Sequence, residues 1–175
     1  LYVASDYNGL YASVDKGKSW TFRSIPNQSI IINKLIVNKF DSSLLMGTDK
    51  GLFQSTNQGV SWMNLTTTFG EQKPVLDVEV DSFDASIIYL SLAGNKFFIS
   101  FDSGNTWLER SQGIKHDFIE SIALDPIQKN VIYLACINGI YKTTDQGLHW
   151  AFKTLNPNQL PPIHNVFVNP LQSNI

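Results

Sequence analysis

Residues 100–107 read SFDSGNTW, and the same pattern of eight residues returns three more times along the chain. The other copies are SVDKGKSW at 13–20, STNQGVSW at 55–62 and TTDQGLHW at 143–150. We call these four segments the octapeptides. Their tryptophans lie 42, 45 and 43 residues apart. A period in the low forties indicates one small supersecondary unit that is repeated along the chain.

The residues between the octapeptides repeat as well, and their pattern is that of strands. Each octapeptide follows a short apolar run and a tight turn; the runs are at 1–4, 44–48, 87–92 and 131–135, and the turns are Asn8-Gly9, Lys50-Gly51, Gly94-Asn95 and Asn138-Gly139. Such turns between apolar runs predict β-hairpins. One more apolar run lies upstream of the second, third and fourth of these units, at 35–37, 78–80 and 122–124. A similar run follows the last unit, at 166–168. The unit is therefore four strands, A to D, and no apolar spacing of 3.6 residues persists to indicate a helix.

Four-stranded antiparallel units with this period predict an all-β chain built as blades of a β-propeller. The repeats cover approximately 1–31, 32–74, 75–117 and 118–162, and 163–175 begins a blade that 1–24 completes. Residues 169–175 match 125–131, and the match continues from Leu1 onward. One blade is thus split between the two ends. Three interpretations remain open: a piece of a longer propeller, a half-ring that closes by self-association of two copies, and a closed four-bladed ring.

The octapeptide resembles the Asp-box, also called the BNR repeat. Sialidases, xyloglucanase-type glycoside hydrolases, sortilin-type receptors and photosystem II assembly factors share this repeat. The resemblance covers the whole chain and implies a propeller in which the octapeptide joins strands C and D. It is specific for fold and not for function. It also favours a secreted or periplasmic location, although the localisation is not readable from the sequence itself.

The residue types of the octapeptide have a structural explanation. A short carboxylate or amide can accept backbone N–H groups of its own turn, the glycine can take a positive φ, and the tryptophan can bury its ring against a neighbouring sheet. Because the motif recurs once per repeat, we interpret it as structural and not as a catalytic or calcium site. The structural set is Asp15, Gly17, Trp20, Asn57, Gly59, Trp62, Asp102, Gly104, Trp107, Asp145, Gly147 and Trp150.

Composition argues against several classes of partner and cofactor. The chain has 13 Lys+Arg against 15 Asp+Glu, and these basic residues do not cluster as nucleic-acid binding requires. Its single cysteine, Cys136, and three separated histidines predict neither a metal site nor a cofactor. No apolar run approaches the roughly 18 residues of a membrane span.

The resemblance implies a ligand face formed by the B–C turns and D–A loops. The candidates on that face are Asp6, Tyr7, Asp49, Asn95, Asn138, His116, Asp117 and His164. A sialidase site needs three arginines, and the chain has only Arg23 and Arg110. A hydrolase needs two facing carboxylates, for which the inward candidates are Asp77, Glu79 and Glu120.

These residues favour a non-catalytic propeller scaffold that binds a protein or carbohydrate ligand. The alternative is a polysaccharide-directed, xyloglucanase-like glycoside hydrolase, or a carbohydrate-binding fragment of one. The sequence therefore leans against an enzyme without excluding one. Its expected partners also include further copies of itself or the remaining blades of a longer chain.

Overall fold

The computed structural model describes residues 1–5, 9–23, 30–69, 73–115, 118–154 and 163–171. Within these residues the chain is all-β, as the sequence predicts, with fifteen strands and one 3-10 turn at Thr67–Phe69. Among them there is no helix long and apolar enough to cross a membrane.

The chain folds as two compact units, Leu1–Val75 and Leu76–Ile175. The first unit holds a three-stranded sheet of β1 (Tyr2–Ser5), β2 (Gly9–Ala12) and β3 (Thr21–Arg23), and a four-stranded sheet of β4 (Ile32–Val37), β5 (Leu44–Thr48), β6 (Gly51–Ser55) and β7 (Met63–Asn64). Sequential strands are neighbours in both sheets and pair antiparallel.

The second unit holds two four-stranded sheets with the same order. One contains β8 (Val75–Val80), which starts at the last residue of the first unit, β9 (Ile88–Leu92), β10 (Lys96–Ser100) and β11 (Leu108–Glu109). The other contains β12 (Ile119–Leu124), β13 (Ile132–Cys136), β14 (Gly139–Thr143) and β15 (Ala151–Lys153). Each full sheet is therefore one A-to-D repeat.

Strand register shows which positions of the four sheets are equivalent. Leu44 lies opposite Ser55, Ile88 opposite Ser100, and Ile132 opposite Thr143. In the first sheet, Leu1 exchanges two backbone hydrogen bonds with Ser13, at 2.7 and 2.9 Å. The serine or threonine that opens each octapeptide thus faces the same position of strand B in all four sheets.

Apolar side chains of adjacent sheets form the core of each unit. In the second unit, Tyr89 and Phe97 of one sheet cluster with Ile132 and Leu134 of the next. In the first unit, Leu10 of the three-stranded sheet clusters with Leu44, Met46 and Phe53. Strand alternation sends one apolar set toward the preceding sheet and the other toward the following sheet, so blades of this kind are apolar on both faces.

The strand predicted at 166–168 is wrong for this structure. Residues 163–169 are irregular, and Phe167 is 87% exposed. A strand needs a neighbour to satisfy its backbone N–H and C=O groups, and this segment has no ladder partner among the described residues.

Candidate functional site

Each octapeptide is a closed hydrogen-bonded turn with the same geometry. In the third copy, the Ser100 hydroxyl donates to Asp102 Oδ1 at 2.8 Å and accepts the Gly104 N–H at 2.8 Å. The Asp102 carboxylate also accepts the Thr106 N–H at 2.8 Å and the Thr106 hydroxyl at 2.6 Å. The first copy repeats all of these contacts. In the second copy Asn57 Nδ2 instead donates to the Ser61 hydroxyl, and in the fourth copy the His149 ring takes the place of that hydroxyl, while the other contacts are the same. The acid or amide at the third position of each octapeptide thus organises its own turn.

Two successive residues of each turn adopt the left-handed conformation. The glycines have φ of 90° at Gly17 and Gly104 and of 82° at Gly59 and Gly147. The residues before them have φ of 56° to 63°, although they are not glycines: Lys16, Gln58, Ser103 and Gln146. The sequence indicated the glycine and missed its neighbour, because a non-glycine residue rarely adopts positive φ and is held there by the surrounding hydrogen bonds.

Hydrogen bonds favour the ionised form of the octapeptide acids. The Ser19 hydroxyl and N–H, followed by Ser13, lower the pKa of Asp15 to about 2. Thr106 lowers the pKa of Asp102 in the same way. The pKa of Asp145 is lowered chiefly by Thr143 and then by His149, whose Nδ1 lies 2.7 Å from the carboxylate. These acids are held as hydrogen-bond acceptors, which does not suit a proton donor.

The tryptophans of the octapeptides are less buried than the sequence predicts. Trp150 packs against the preceding sheet, with its ring 5.2 Å from that of Phe97, and its Nε1–H donates to the Arg110 carbonyl at 2.8 Å. Trp62 likewise packs against the core cluster of the first unit, and Trp107 is half-buried. Trp20 departs from the prediction, because it is 42% exposed.

The first of the inward acid candidates is fully engaged with the backbone. Asp77 on β8 is 3% exposed. One carboxylate oxygen accepts the Val78 N–H at 2.8 Å, and the other accepts the Ile122 N–H of β12 at 2.8 Å. Asp77 therefore ties two adjacent sheets of the second unit together.

The other two acid candidates are more accessible. Glu79 is half-buried on the same strand, and Glu120 is half-buried on β12. Glu120 Oε2 lies 3.7 Å from Nδ1 of His164, so the structure brings together one predicted acid and one predicted ligand-face residue.

A pocket of about 500 Å³ lies on the second unit between a B–C turn and a D–A loop. Its walls come from Gly94, Asn95, Lys96, Glu109, Ser111, Gln112, Ile114 and Lys115. Asn95 has a left-handed φ of 65°, and its Oδ1 is buried without a donor in the described structure. Lys96 pairs with Glu109, which also lines the pocket.

The D–A wall of this pocket is held firmly to the sheet. The Ser111 hydroxyl accepts the Phe97 N–H at 3.0 Å, and the Arg110 N–H donates to the Phe97 carbonyl at 2.8 Å. The Lys115 N–H donates to the Tyr141 hydroxyl at 3.0 Å, and Ile114 packs against the core. Gln112 and Lys115 are the exposed polar residues of this wall.

The remaining candidates of the ligand face are distributed over other turns. Asp49 accepts the Ile31 N–H at 2.9 Å and pairs with Lys50 at 3.2 Å, and Asn138 is exposed in its turn. Asp6, Tyr7, His116 and Asp117 lie outside the described residues. Sequence reasoning named Asn95 individually, and it assigned the D–A loops to the ligand face without singling out Gln112 and Lys115.

No group of three or more His, Cys, Asp and Glu side chains in the described ranges could hold a metal ion. Cys136 is buried and forms no disulfide. The described pocket offers a ligand hydrogen-bonding groups and charged side chains.

Comparison with known proteins adds structural relatives. No protein-family model matches the chain, and no curated protein matches it. It is similar to the structure of an ancestral GH74 enzyme, with 24% identity and a TM-score of 0.72 over 85% of this chain and 22% of the enzyme. The GH74 xyloglucanase from Xanthomonas campestris gives 17% identity and a TM-score of 0.72 over 93% of this chain and 29% of the enzyme.

A further similar structure is that of YCF48 bound to D1 peptide. It has 15% identity and a TM-score of 0.65, over 91% of this chain and 51% of that one. The chain thus spans less than a third of the two GH74 structures and about half of YCF48. Together with the four-stranded sheets, these similarities identify the fold as that of a β-propeller.

Proposed function

We propose that this chain is a non-catalytic binding scaffold of the β-propeller class. In this proposal the octapeptides are Asp-box repeats that close the C–D end of each blade, and binding takes place on the opposite face. A binding scaffold needs a rigid frame that carries binding loops. The short hydrogen-bonded turns contribute to the frame, and the D–A loops provide the binding loops.

The chief observation behind the proposal is the bonding of Asp77. Both of its carboxylate oxygens accept backbone N–H groups, and the side chain is buried. A general acid or base must instead reach the proton that it transfers. Of the three inward candidates, the half-buried Glu79 and Glu120 are left for such a transfer.

The pocket beside Asn95 is the proposed binding site. Its buried Asn95 Oδ1 lacks a donor in the described structure, and Gln112 and Lys115 are exposed in its lining. A ligand with both hydrogen-bond donors and acceptors would satisfy these groups, as peptides and carbohydrates both do. The neighbouring structures suggest one probe of each kind, because one is a xyloglucanase and one is bound to D1 peptide.

Calorimetric titration with soluble xyloglucan and with the D1 peptide tests the site. We expect one of the two to bind, and we expect the double variant Gln112→Ala/Lys115→Glu to weaken that binding about tenfold or more, the loss of one or two polar contacts. Lys18→Glu, on an exposed octapeptide turn, is the control and should bind as the unmodified chain does. Equal affinities for all three proteins, or no binding of either probe, would remove the pocket from the proposal.

A polysaccharide hydrolase is the second candidate, favoured by the similarity to two GH74 structures. Incubation with xyloglucan and other β-glucans, followed by a reducing-end assay, separates it from the first. The scaffold proposal expects no release of reducing ends. Release that is lost in Glu79→Gln or Glu120→Gln would establish the hydrolase and reject the scaffold. These two variants are preferable to any change at Asp77, which would also disturb the backbone bonds of β8 and β12.

A further inference from the structure

The turns that join strands A and B carry an exposed apolar side chain in all three full sheets. Each turn begins with an Asn or Asp whose side chain accepts the backbone N–H of the residue two positions later, at 2.8 to 3.0 Å. That later residue is Phe40, Phe83 or Ile127, and all three side chains are exposed. The turn uses only the backbone N–H of this residue, so the turn itself does not account for the apolar side chain.

The third sheet, β8 to β11, exposes a second phenyl ring beside this turn. Phe101, in the octapeptide, is 42% exposed, and Phe83 is 46% exposed. The Ser103 N–H donates to the Ser86 carbonyl at 2.8 Å, which joins the octapeptide to the A–B turn. We call residues 81–86 and 100–106 the third-sheet rim. Exposed apolar side chains grouped in this way mark an interaction surface.

The third-sheet rim is also acidic. It contains three aspartates and neither lysine nor arginine. Oδ1 of the exposed Asp84 accepts the Ser86 N–H at 2.9 Å and the Ser86 hydroxyl at 2.7 Å, whereas its Oδ2 accepts no hydrogen bond from the described residues. The bonds from Ser86, with a smaller contribution from Lys129 of the fourth sheet, lower the pKa of Asp84. The rim therefore combines apolar rings with a carboxylate that is ionised at neutral pH.

The equivalent turn of the second sheet shows which group packs on such a ring. Residues 38–41 read NKFD and residues 81–84 read DSFD, so both turns carry the same Phe and Asp. In the second sheet, Nζ of Lys39 lies 5.1 Å from the centroid of the Phe40 ring, a cation–π contact. Ser82 takes the place of this lysine in the third sheet, so the turn there supplies no cation of its own.

We propose that the third-sheet rim binds an arginine-rich segment of another protein. A guanidinium group stacks on the exposed ring of Phe83 and donates to Oδ2 of Asp84, and the apolar stem of a second arginine packs against Phe101. Arginine suits these contacts better than lysine, because its planar group stacks on aromatic faces and donates to carboxylates in a fixed geometry.

This surface is separate from the pocket proposed above. The pocket includes the B–C turn, next to the pair Leu92 and Lys96, whereas the rim adjoins the pair Ile88 and Ser100 at the opposite end of the same two strands. Binding at the rim therefore does not depend on the pocket and can be measured without its ligand.

Fluorescence anisotropy with fluorescein-labelled octa-arginine tests the proposal. We expect saturable binding that Phe83→Ser and Asp84→Asn each weaken about fivefold, the loss of one contact with an exposed cation. Phe40→Ser and Asp41→Asn make the same two changes in the second sheet and should bind as the unmodified chain does. They separate a site on the third sheet from a general effect of charge. No saturable binding, or equal weakening by both pairs of variants, would overturn the proposal.

A second variant keeps the ring and the carboxylate. Ser82→Lys gives the third sheet the lysine that the second sheet already has, and it should weaken octa-arginine binding about fivefold because the ring is then occupied. Thr56→Lys adds the same charge to an exposed octapeptide turn of the second sheet and should have no such effect. Equal affinities of these two variants would contradict the proposal. A dimer, detected by light scattering, that Phe83→Ser dissociates would assign the rim to a second copy and would also overturn it.

Discussion

The first and the fourth sheet carry nearly the same B strand in different surroundings. Residues 1–4 read LYVA and residues 132–135 read IYLA, and both strands have the same register against the strand that follows. Nevertheless, the apolar side chains at Leu1 and Val3 are exposed, whereas Ile132 and Leu134 are buried against the preceding sheet. Local sequence thus sets the strand and its register, and the neighbouring sheet sets whether the strand contributes to the core.

The largest difference between the two sheets should appear on truncation of strand B. Leu134→Ala removes buried methyl groups from a packed cluster and should lower the free energy of unfolding by about 3–5 kcal/mol. Val3→Ala, at the equivalent exposed position, should lower it by less than about 1 kcal/mol. Urea unfolding followed by circular dichroism measures both. Similar losses for the two variants would contradict the prediction and would mean that the side chain of Val3 is covered in solution.

The octapeptide tryptophans offer a second comparison. Trp150→Ala removes a ring that contacts Phe97 and a hydrogen bond to the Arg110 carbonyl, and it should cost about 2–3 kcal/mol for a half-buried aromatic side chain. Trp20→Ala, which removes a ring that is 42% exposed, should cost clearly less. Thermal unfolding of the two variants, followed by circular dichroism, checks this order. A reversed order would show that the exposed Trp20 ring packs in solution.

A tyrosine hydroxyl extends the comparison to a buried polar contact. Tyr89 donates to Asp81 at 2.8 Å, and burial together with this bond raises the tyrosine pKa. Tyr89→Phe leaves the buried Asp81 carboxylate without that donor and should cost about 1–3 kcal/mol. Tyr2→Phe, at the equivalent position of the first sheet, should change stability by no more than about 0.5 kcal/mol. The urea midpoints of the two variants, compared with that of the unmodified chain, measure the two losses of stability. An equal loss in Tyr2→Phe would contradict the prediction.

The smallest effect concerns the pH dependence of one turn. The pKa of Asp15 is about 2 in the folded chain, against an ordinary 3.8, so its stabilising contribution is present above pH 4 and is lost as the pH falls toward 2. Asp15→Asn should therefore flatten the fall in stability over this window while leaving stability at pH 7 little changed. Asn57→Asp, the matched change in the second octapeptide, should steepen it. Urea unfolding at pH 7, 4 and 3 measures both, and unchanged slopes would reject the assignment.

The turns were the most predictable part of the molecule. The short acid or amide at Asp102, its hydroxyl partners and the glycine two residues later follow from local stereochemistry, which a sequence motif encodes directly. The left-handed Ser103 could not be read in this way, because its conformation depends on the bonds of the whole turn.

The candidate site was less accessible to sequence reasoning. Asn95 was named because it lies in a B–C turn, but its pocket depends on Gln112 and Lys115 from a loop that folds back over the same sheet. Asp77 was named as an inward acid, and the structure adds that its carboxylate bonds to Ile122, which is 45 residues away in sequence. Contacts between residues so far apart in sequence depend on how the sheets pack against one another. The sequence pattern does not specify that packing.

The sequence by itself determined the repeat, the all-β class, the strand order within each sheet and the chemistry of the turns, because each of these rests on interactions between residues close along the chain. Only the tertiary structure decided which apolar positions are buried, which tryptophans pack, and that 163–169 stays without a ladder partner among the described residues. The reason is physical: hydrophobic burial and strand pairing require a second surface, and the identity of that surface is a property of the assembled sheets.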